Sequence, residues 1–392
     1  MNVIILLVKE VKNMYRKTYV EIDCEALENN IKEIKEKYNE YKYYIGVVKN
    51  NAYGHGIECV KYMIKGGINY LAVSSLEEAL KLRNIARDIP ILILEPIHYE
   101  CLDEAVKNNL TITIDNVDYF NKLLNDKVKI KFHLKVDSGM NRFGLKDKND
   151  VKYIVDNAND ILFLEGLYTQ LSKGFGSEFL REKSIFEDLT SLIDLSTIPI
   201  VHIERSLTLE QHDKLPYDNG IRLGLVMYGF NKRKYTPSWK RKLYNKLTFK
   251  KDTFIPSILN LKTVFKFYTE VLEIKEVKAG EVVGYGDLFD TKENIKVATL
   301  PYGFADFLFL NTNYVSINGK RYNIVANYMD VTSVVIDENV KVGDTVEIFG
   351  DNISIRKASE LAGQNVYKLL TSVTNRVPRI YKYKDEIKEV EY

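Results

Sequence analysis

Short apolar runs recur along the first part of the chain, at residues 43–48, 70–73, 90–94, 110–114, 130–136, 162–168, 199–203 and 223–228. Each is four to seven residues long and nearly continuous in apolar character, which suits strands covered on both faces, as in a parallel sheet. Helical patterns lie between most of them, at 57–64, 76–87, 102–106, 116–124, 148–155 and 180–195. Eight strands alternating with helices is the count of a (β/α)8 barrel, and a doubly wound sheet is the other reading of the same pattern. In a barrel the reactive side chains gather at the C-terminal ends of the strands. Before the first run, residues 17–22 read as one more strand, and Asp23 is a good N-cap for a helix of about four turns.

The texture changes after Phe230. Residues 231–251 hold nine lysines and arginines, Trp239 and no acidic residue. Such a stretch suits phosphates or a membrane surface, and it suits a solvated surface insertion better. Farther on the chain is strand-rich, at 264–276, 295–300, 314–317, 321–325, 331–335 and 345–349, with Asn318-Gly319 as a two-residue hairpin signal. The expected fold class is α/β: an N-terminal (β/α)8 barrel followed by a mostly antiparallel β domain. The expected boundaries are 1–16 for an N-terminal extension, 17–250 for the barrel and 251–392 for the β-rich part, which the early strand near 17–22 completes.

Net charge is +2, so nothing calls for nucleic acid. The three cysteines, Cys24, Cys59 and Cys101, show no C-x-x-C spacing, and the five histidines show no metal-ligand spacing. This argues against a disulfide framework or a metal site, and it fits a reducing cytoplasm. The apolar run 3–8 is too short to span a bilayer. It also lacks the cleavage site of a secretory signal, so Met14 is an alternative start to Met1.

One strand end stands out. The run 43–48 closes on Lys49, followed by Asn50-Asn51-Ala52-Tyr53-Gly54-His55-Gly56. A lysine at the tip of a buried strand is costly to desolvate, and desolvation makes an amine a better nucleophile towards an aldehyde. The plain alternative is a lysine whose ammonium reaches solvent. The segment from Val48 to Gly56 resembles the signature of alanine racemases, which carry pyridoxal 5'-phosphate on this lysine. The family usually has alanine where Asn50 stands.

Further motifs follow in the family's order. The segment from Phe132 to Gly144 resembles the second. It implies that Arg142 bonds the cofactor's phenolic oxygen near the substrate carboxylate, and that Lys135 is the position often carbamylated. Ile221-Arg222-Leu223-Gly224-Leu225 resembles the third. It implies that Arg222 faces the pyridine nitrogen and leaves it unprotonated, since a guanidinium does not give up its proton. Gly224 and Leu225 are implied to offer backbone N–H groups to the phosphate, helped by Tyr53, Ser206 and Tyr367. Gly280-Glu281-Val282-Val283-Gly284-Tyr285-Gly286 resembles the segment that carries a second base. Racemisation takes a proton from one face of Cα and returns it to the other, and two fixed bases need less motion than one. Lys49 and Tyr285 are the implied pair, with Tyr285 entering from the partner in a homodimer that shares its active sites. Met329 is implied to meet the substrate carboxylate.

Three positions depart from the family's pattern. Gln170 stands near the cofactor ring where the family usually has histidine, and can still bond Arg222 through its amide carbonyl. Arg205 stands where it has asparagine before the serine, placed to anchor the cofactor's phosphate, with turning outward or reaching the substrate as the alternatives. Phe304 stands where it has tyrosine. The resemblance implies a cytoplasmic, cofactor-dependent isomerase that interconverts L- and D-alanine and serves D-alanine biosynthesis. A racemase for serine, lysine or another amino acid stays open, as do a barrel-type decarboxylase and a non-catalytic regulatory protein that only binds the cofactor.

Overall fold

The structure is a computed structural model that describes residues 15–206, 208–230, 257–285, 289–307 and 313–391. The basic stretch 231–251, the alternative start sites and Gly286 lie outside the described residues. The chain forms two compact units. One runs to Ala26, includes Asn51–Cys59 and resumes at Thr263; the other spans Leu27–Asn50 and Val60–Lys262.

The second of these units is a parallel barrel. Its strands are β2 (Tyr43–Val47), β3 (Tyr70–Val73), β4 (Ile91–Ile93), β5 (Thr111–Ile114), β6 (Ile130–Lys135), β7 (Leu162–Tyr168), β8 (Ile200–His202), β9 (Glu204–Arg205) and β10 (Gly220–Leu223). They pair in the order β8-β7-β6-β5-β4-β3-β2-β10-β9. Only Ile203 separates β8 from β9, so the two ends of the sheet meet and the barrel is nearly closed. β3, β4 and β5 are buried along their whole length, which is why their sequences read as unbroken apolar runs. Helices between strands start on local caps. Ser75 accepts from the N–H of Glu78 ahead of Leu76–Arg83, and Asn116 accepts from the N–H of Tyr119 ahead of Val117–Asn125.

The barrel and the antiparallel sheet agree with the expected fold class. One expected strand is displaced. The apolar run 223–228 is not a strand; β10 occupies Gly220–Leu223, and residues 224–229 form a bend and turn after its end while staying mostly buried. Burial, not strand geometry, made that run apolar, and the charged Arg222 inside β10 hid the true strand. The helix expected at 180–195 is Gly176–Leu189.

The other unit is a ten-stranded sheet built around β1 (Tyr19–Asp23) and β11 (Phe265–Glu270). β1 pairs antiparallel with β11, in register from Tyr19↔Tyr268 to Ile22↔Phe265. Its other edge pairs parallel with the late strand Arg379–Tyr383, and the remaining ladders are antiparallel. Two short helices, Ile355–Leu361 and Val366–Ser372, went unread in the sequence. They hold only seven residues each, too few for a helical period to show.

Candidate active site

Lys49 stands two residues past the end of β2, after Val48, and is half-buried. It opens a helical turn, Lys49–Tyr53, that is left-handed: φ is 52° at Asn50, 51° at Asn51, 52° at Ala52 and 55° at Tyr53. For L-residues this conformation costs about 1–2 kcal/mol each, and Asn bears it best. Strain of this kind persists only where surrounding structure over-determines it. The determinants are visible in the unit that holds Asn51–Cys59. His55, fully buried, lies with Nδ1 2.9 Å from the carbonyl of Ala52 and packs edge-on against Phe265. Burial brings its imidazole down to about 3. Arg379 donates its Nε–H to the carbonyl of Gly54 at 3.1 Å, while its two Nη groups serve the carbonyls of Thr374, Val377 and Val373. The turn is thereby tied to the end of helix Val366–Ser372. It brings the rings of Tyr53 and Tyr367 to 5.7 Å between centroids.

In the barrel, β2 and β10 are neighbours, with Arg222 opposite Ile45. Arg222 is buried, and every hydrogen-bonding partner it has in the barrel is an acceptor. Nη1 lies 2.7 Å from Nδ1 of His202 and also donates to the carbonyl of that histidine. Nη2 donates to the carbonyls of Thr169 at 2.7 Å and Ile203 at 3.1 Å, and to Oε1 of Gln170 at 3.3 Å. Burial pushes its guanidinium down to about 10, which leaves it charged at neutral pH. Gln170 thus serves Arg222 through its amide oxygen.

Lys135 ends β6 and is the fully desolvated lysine of the barrel mouth, a condition the sequence reading gave to Lys49. Its Nζ donates to the carbonyl of Val136 at 3.2 Å and stands over the ring of Tyr168. Burial, then the positive charges of Arg222 and Arg142, bring its ammonium down to about 7. Arg142 sits in the following loop, exposed, in contact with the ring of Phe143. That loop is held by Asp137, which accepts from the N–H groups of Gly139 and Asn141 at 3.0 Å each.

Ser206 accepts from the N–H of Gly224 at 2.7 Å, and both Gly224 and Leu225 are buried. The Arg205 side chain turns along the neighbouring loop, donating to the carbonyls of Leu171 at 2.9 Å and Ser172 at 2.7 Å. In the sheet unit, Tyr285 is 75% exposed and meets Tyr328 edge-on at 5.4 Å; Met329 and Phe304 are exposed as well. The barrel therefore brings Lys135, Gln170, Arg205, Ser206, Arg222, Gly224 and Leu225 to its strand ends with Lys49. Tyr53 and Tyr367 meet in the other unit, which also carries Tyr285, Phe304 and Met329.

The family model "Alanine racemase, N-terminal domain" matches residues 22–232, and "Alanine racemase, C-terminal domain" matches residues 264–381. The chain belongs to the alanine racemase family. An alanine racemase from Methanococcus maripaludis is 33% identical over 93% of this chain and 98% of its own length. The alanine racemase of E. faecalis superposes with a TM-score of 0.84 at 27% identity, over 94% of this chain and 99% of that one. A histidine racemase from Leuconostoc mesenteroides shares the fold, with a TM-score of 0.80 at 22% identity over 94% of this chain and 99% of its own. The resemblance read from the motifs holds across the chain, and the protein is an isomerase of the racemase class.

Sequence reading passed over four buried polar residues: His133, Glu165, His202 and Arg379. The signal was present. On β6, Lys131, His133 and Lys135 alternate with apolar residues, so three polar side chains share one face of a barrel strand. Polar groups on a buried strand face are rare unless something pairs with them.

Proposed function

We propose that the protein is a pyridoxal 5'-phosphate-dependent racemase that interconverts L- and D-alanine. The observation that carries the reading is the pairing of β2 with β10. It sets Lys49, an amine just past one strand end, beside a strand whose buried Arg222 is charged and held to acceptors through both Nη groups.

The residues suit the cofactor. Lys49 offers an amine. Ser206, Gly224 and Leu225 offer a hydroxyl and backbone N–H groups for a phosphate, and Tyr53 and Tyr367 offer phenols. Arg222 offers a permanent cation to the ring nitrogen, where a decarboxylase of this plan would favour an acid. When bound, the cofactor supplies delocalisation for the charge left as the Cα proton departs.

On this reading Lys49 moves the proton on one face of Cα and Tyr285 moves it on the other. Arg142 and the Met329 backbone N–H hold the carboxylate, and Gln170 steadies Arg222. Arg205 braces the loop at Leu171–Ser172, beside the phosphate-binding Ser206. The exposure of Tyr285, 75%, with Met329 at 57% and Phe304 at 43%, supports a homodimer. A proton-transfer group has to be shielded from bulk water to act on substrate alone, and a second copy would cover these side chains. Among the described residues no helix is long and apolar enough to cross a membrane. With Cys24, Cys59 and Cys101 outside any disulfide, we place the protein in the cytoplasm.

The test is incubation of the protein with the cofactor and a panel of L-amino acids in deuterated water, following D-enantiomer and Cα exchange. D-alanine as the dominant product is expected. Another D-amino acid as dominant product would make Gln170, Arg205 and Phe304, the positions that depart from the family's pattern, the candidates for the change in substrate. Bound cofactor with no exchange on any amino acid would refute the racemase reading.

A further inference from the structure

Beneath Arg222 the barrel holds three polar side chains that the roles above do not use: His202 on β8, His133 on β6 and Glu165 on β7. All are buried. Their geometry sets a direction. A guanidinium only donates. Nη1 of Arg222 lies 2.7 Å from Nδ1 of His202, so that nitrogen accepts and His202 carries its proton on Nε2. His202 Nε2 lies 2.7 Å from Nδ1 of His133, which must then accept, leaving the proton of His133 on Nε2 as well. That nitrogen lies 3.5 Å from Oε2 of Glu165, in charge contact with the carboxylate but without a formed hydrogen bond. A carboxylate only accepts, so the chain is one-way at both ends.

Glu165 is itself fixed. Oε2 accepts from the hydroxyls of Tyr70 at 2.6 Å and Thr111 at 3.0 Å, and Oε1 pairs with Lys131 at 2.9 Å. Burial would raise this carboxyl, but the contact with His133 and the bonds from Tyr70 and Lys131 outweigh it and hold it well below the usual carboxylate range. Burial, with the nearby positive charge of Arg222, lowers both imidazoles, so they stay neutral. Room for the His133 ring exists because residue 166 is glycine: a Cβ there would stand 2.7 Å from the ring atoms Cε1 and Nδ1.

We propose that Glu165 is a positioning residue for Arg222: through His133 and His202 it locks both imidazoles in the Nε2–H tautomer and holds the guanidinium in one orientation. The inference rests on the reading of Arg222 as the group that faces the cofactor's ring nitrogen. Without the carboxylate at position 165, the negative charge that favours the proton of His133 on Nε2 is gone. His133 can then take the other tautomer, with its proton on Nδ1 facing His202; His202 must accept it on Nε2, carries its own proton on Nδ1 and no longer offers Arg222 a lone pair.

The test uses full-length protein labelled with 15N in histidine and arginine, first without cofactor. Samples of His133→Gln and His202→Gln assign the signals. In the wild type both histidines are expected as single neutral Nε2–H species at pH 7, with resolved Nη signals from Arg222. Glu165→Leu is expected to give mixed tautomers at both histidines and averaged Arg222 signals. In the loaded enzyme it should lower kcat by about tenfold at unchanged KM. Glu165→Gln keeps an oxygen with partial negative charge, and should restore the tautomers and most of kcat. Should Glu165→Leu fail to fold, Glu165→Asp, which draws the carboxylate back, takes its place. The proposal is overturned if the wild type shows Nδ1–H at either histidine. It is also overturned if the Leu or Asp variant leaves the histidine and Arg222 spectra unchanged. These spectra decide the matter even if the protein racemises no amino acid, so the two readings fail separately.

Discussion

The ammonium group of Lys135 stands 4.9 Å from the centre of the Tyr168 ring, and the guanidinium of Arg222 stands 5.4 Å from the same centre. Two cations over one buried phenol ring repel each other. Burial, and then this repulsion, lets Lys135 lose its proton near neutrality.

A neutral amine beside two arginines reacts with carbon dioxide, because the carbamate that forms is an anion where the field is positive. With 13C-bicarbonate, the protein at pH 8 is therefore expected to show a carbamate signal that Lys135→Ala abolishes. The same group affects stability. Its folded value, about 7, is below the ordinary lysine value of 10.5, so the unfolded chain binds the extra proton between them. Stability should rise through this window, by about 1.4 kcal/mol per pH unit from this group. Urea unfolding of wild type and Lys135→Met across pH 7–10 measures the difference in slope.

Lys49→Ala should abolish racemisation and also the absorbance of bound cofactor. Tyr285→Phe should keep the absorbance and lose racemisation by at least about a hundredfold. If Tyr285→Phe interconverts both enantiomers at the wild-type rate, the two-base assignment falls.

Gly54 has φ +82°, and a Cβ there would lie 2.2 Å from the carbonyl oxygen of Leu370. Backbone cannot retreat as a flexible side chain can. Gly54→Ala is expected to lower stability by roughly 2–4 kcal/mol, read by thermal or urea unfolding. A neutral outcome would mean that the Gly54 loop is not tied down by Arg379 and the helix Val366–Ser372.

Three histidines, His55, His133 and His202, are buried and lowered, His55 to about 3. In the unfolded chain each titrates near ~6.5. Below that pH the unfolded state takes up protons that the folded state refuses, so this stability is full above ~6.5 and drains as pH falls. Each group contributes a slope of about 1.4 kcal/mol per pH unit until its folded value is reached. His55→Gln keeps a donor for the carbonyl of Ala52 and should flatten the slope between pH 6 and 4 by about one such increment. Denaturant midpoints across that range check it.

Much of the barrel was readable because a strand covered on both faces is written locally, as a run of apolar residues. The reading failed where burial and strand geometry parted. At 223–228 the apolar residues are buried in a turn, while the strand just before them carries Arg222. The left-handed turn after Lys49 was also hidden. Asn50 and Asn51 tolerate positive φ, but Ala52 and Tyr53 carry no such sign. Their conformation is imposed by His55 and Arg379, the latter 325 residues away from the Gly54 carbonyl it binds.

The sequence by itself determined the alternation of strands and helices, the placing of Lys49 just past a strand end and the family, since these depend on local periodicity and on contiguous motifs. Only the tertiary structure decided which polar groups meet inside the barrel. His133 and His202 are 69 residues apart, and His202 and Arg222 are 20 apart. Strand pairing brings them within hydrogen-bonding distance, and in a low-dielectric interior an unpaired polar group is costly. That requirement is a property of the closed barrel, and no stretch of the chain shows it alone.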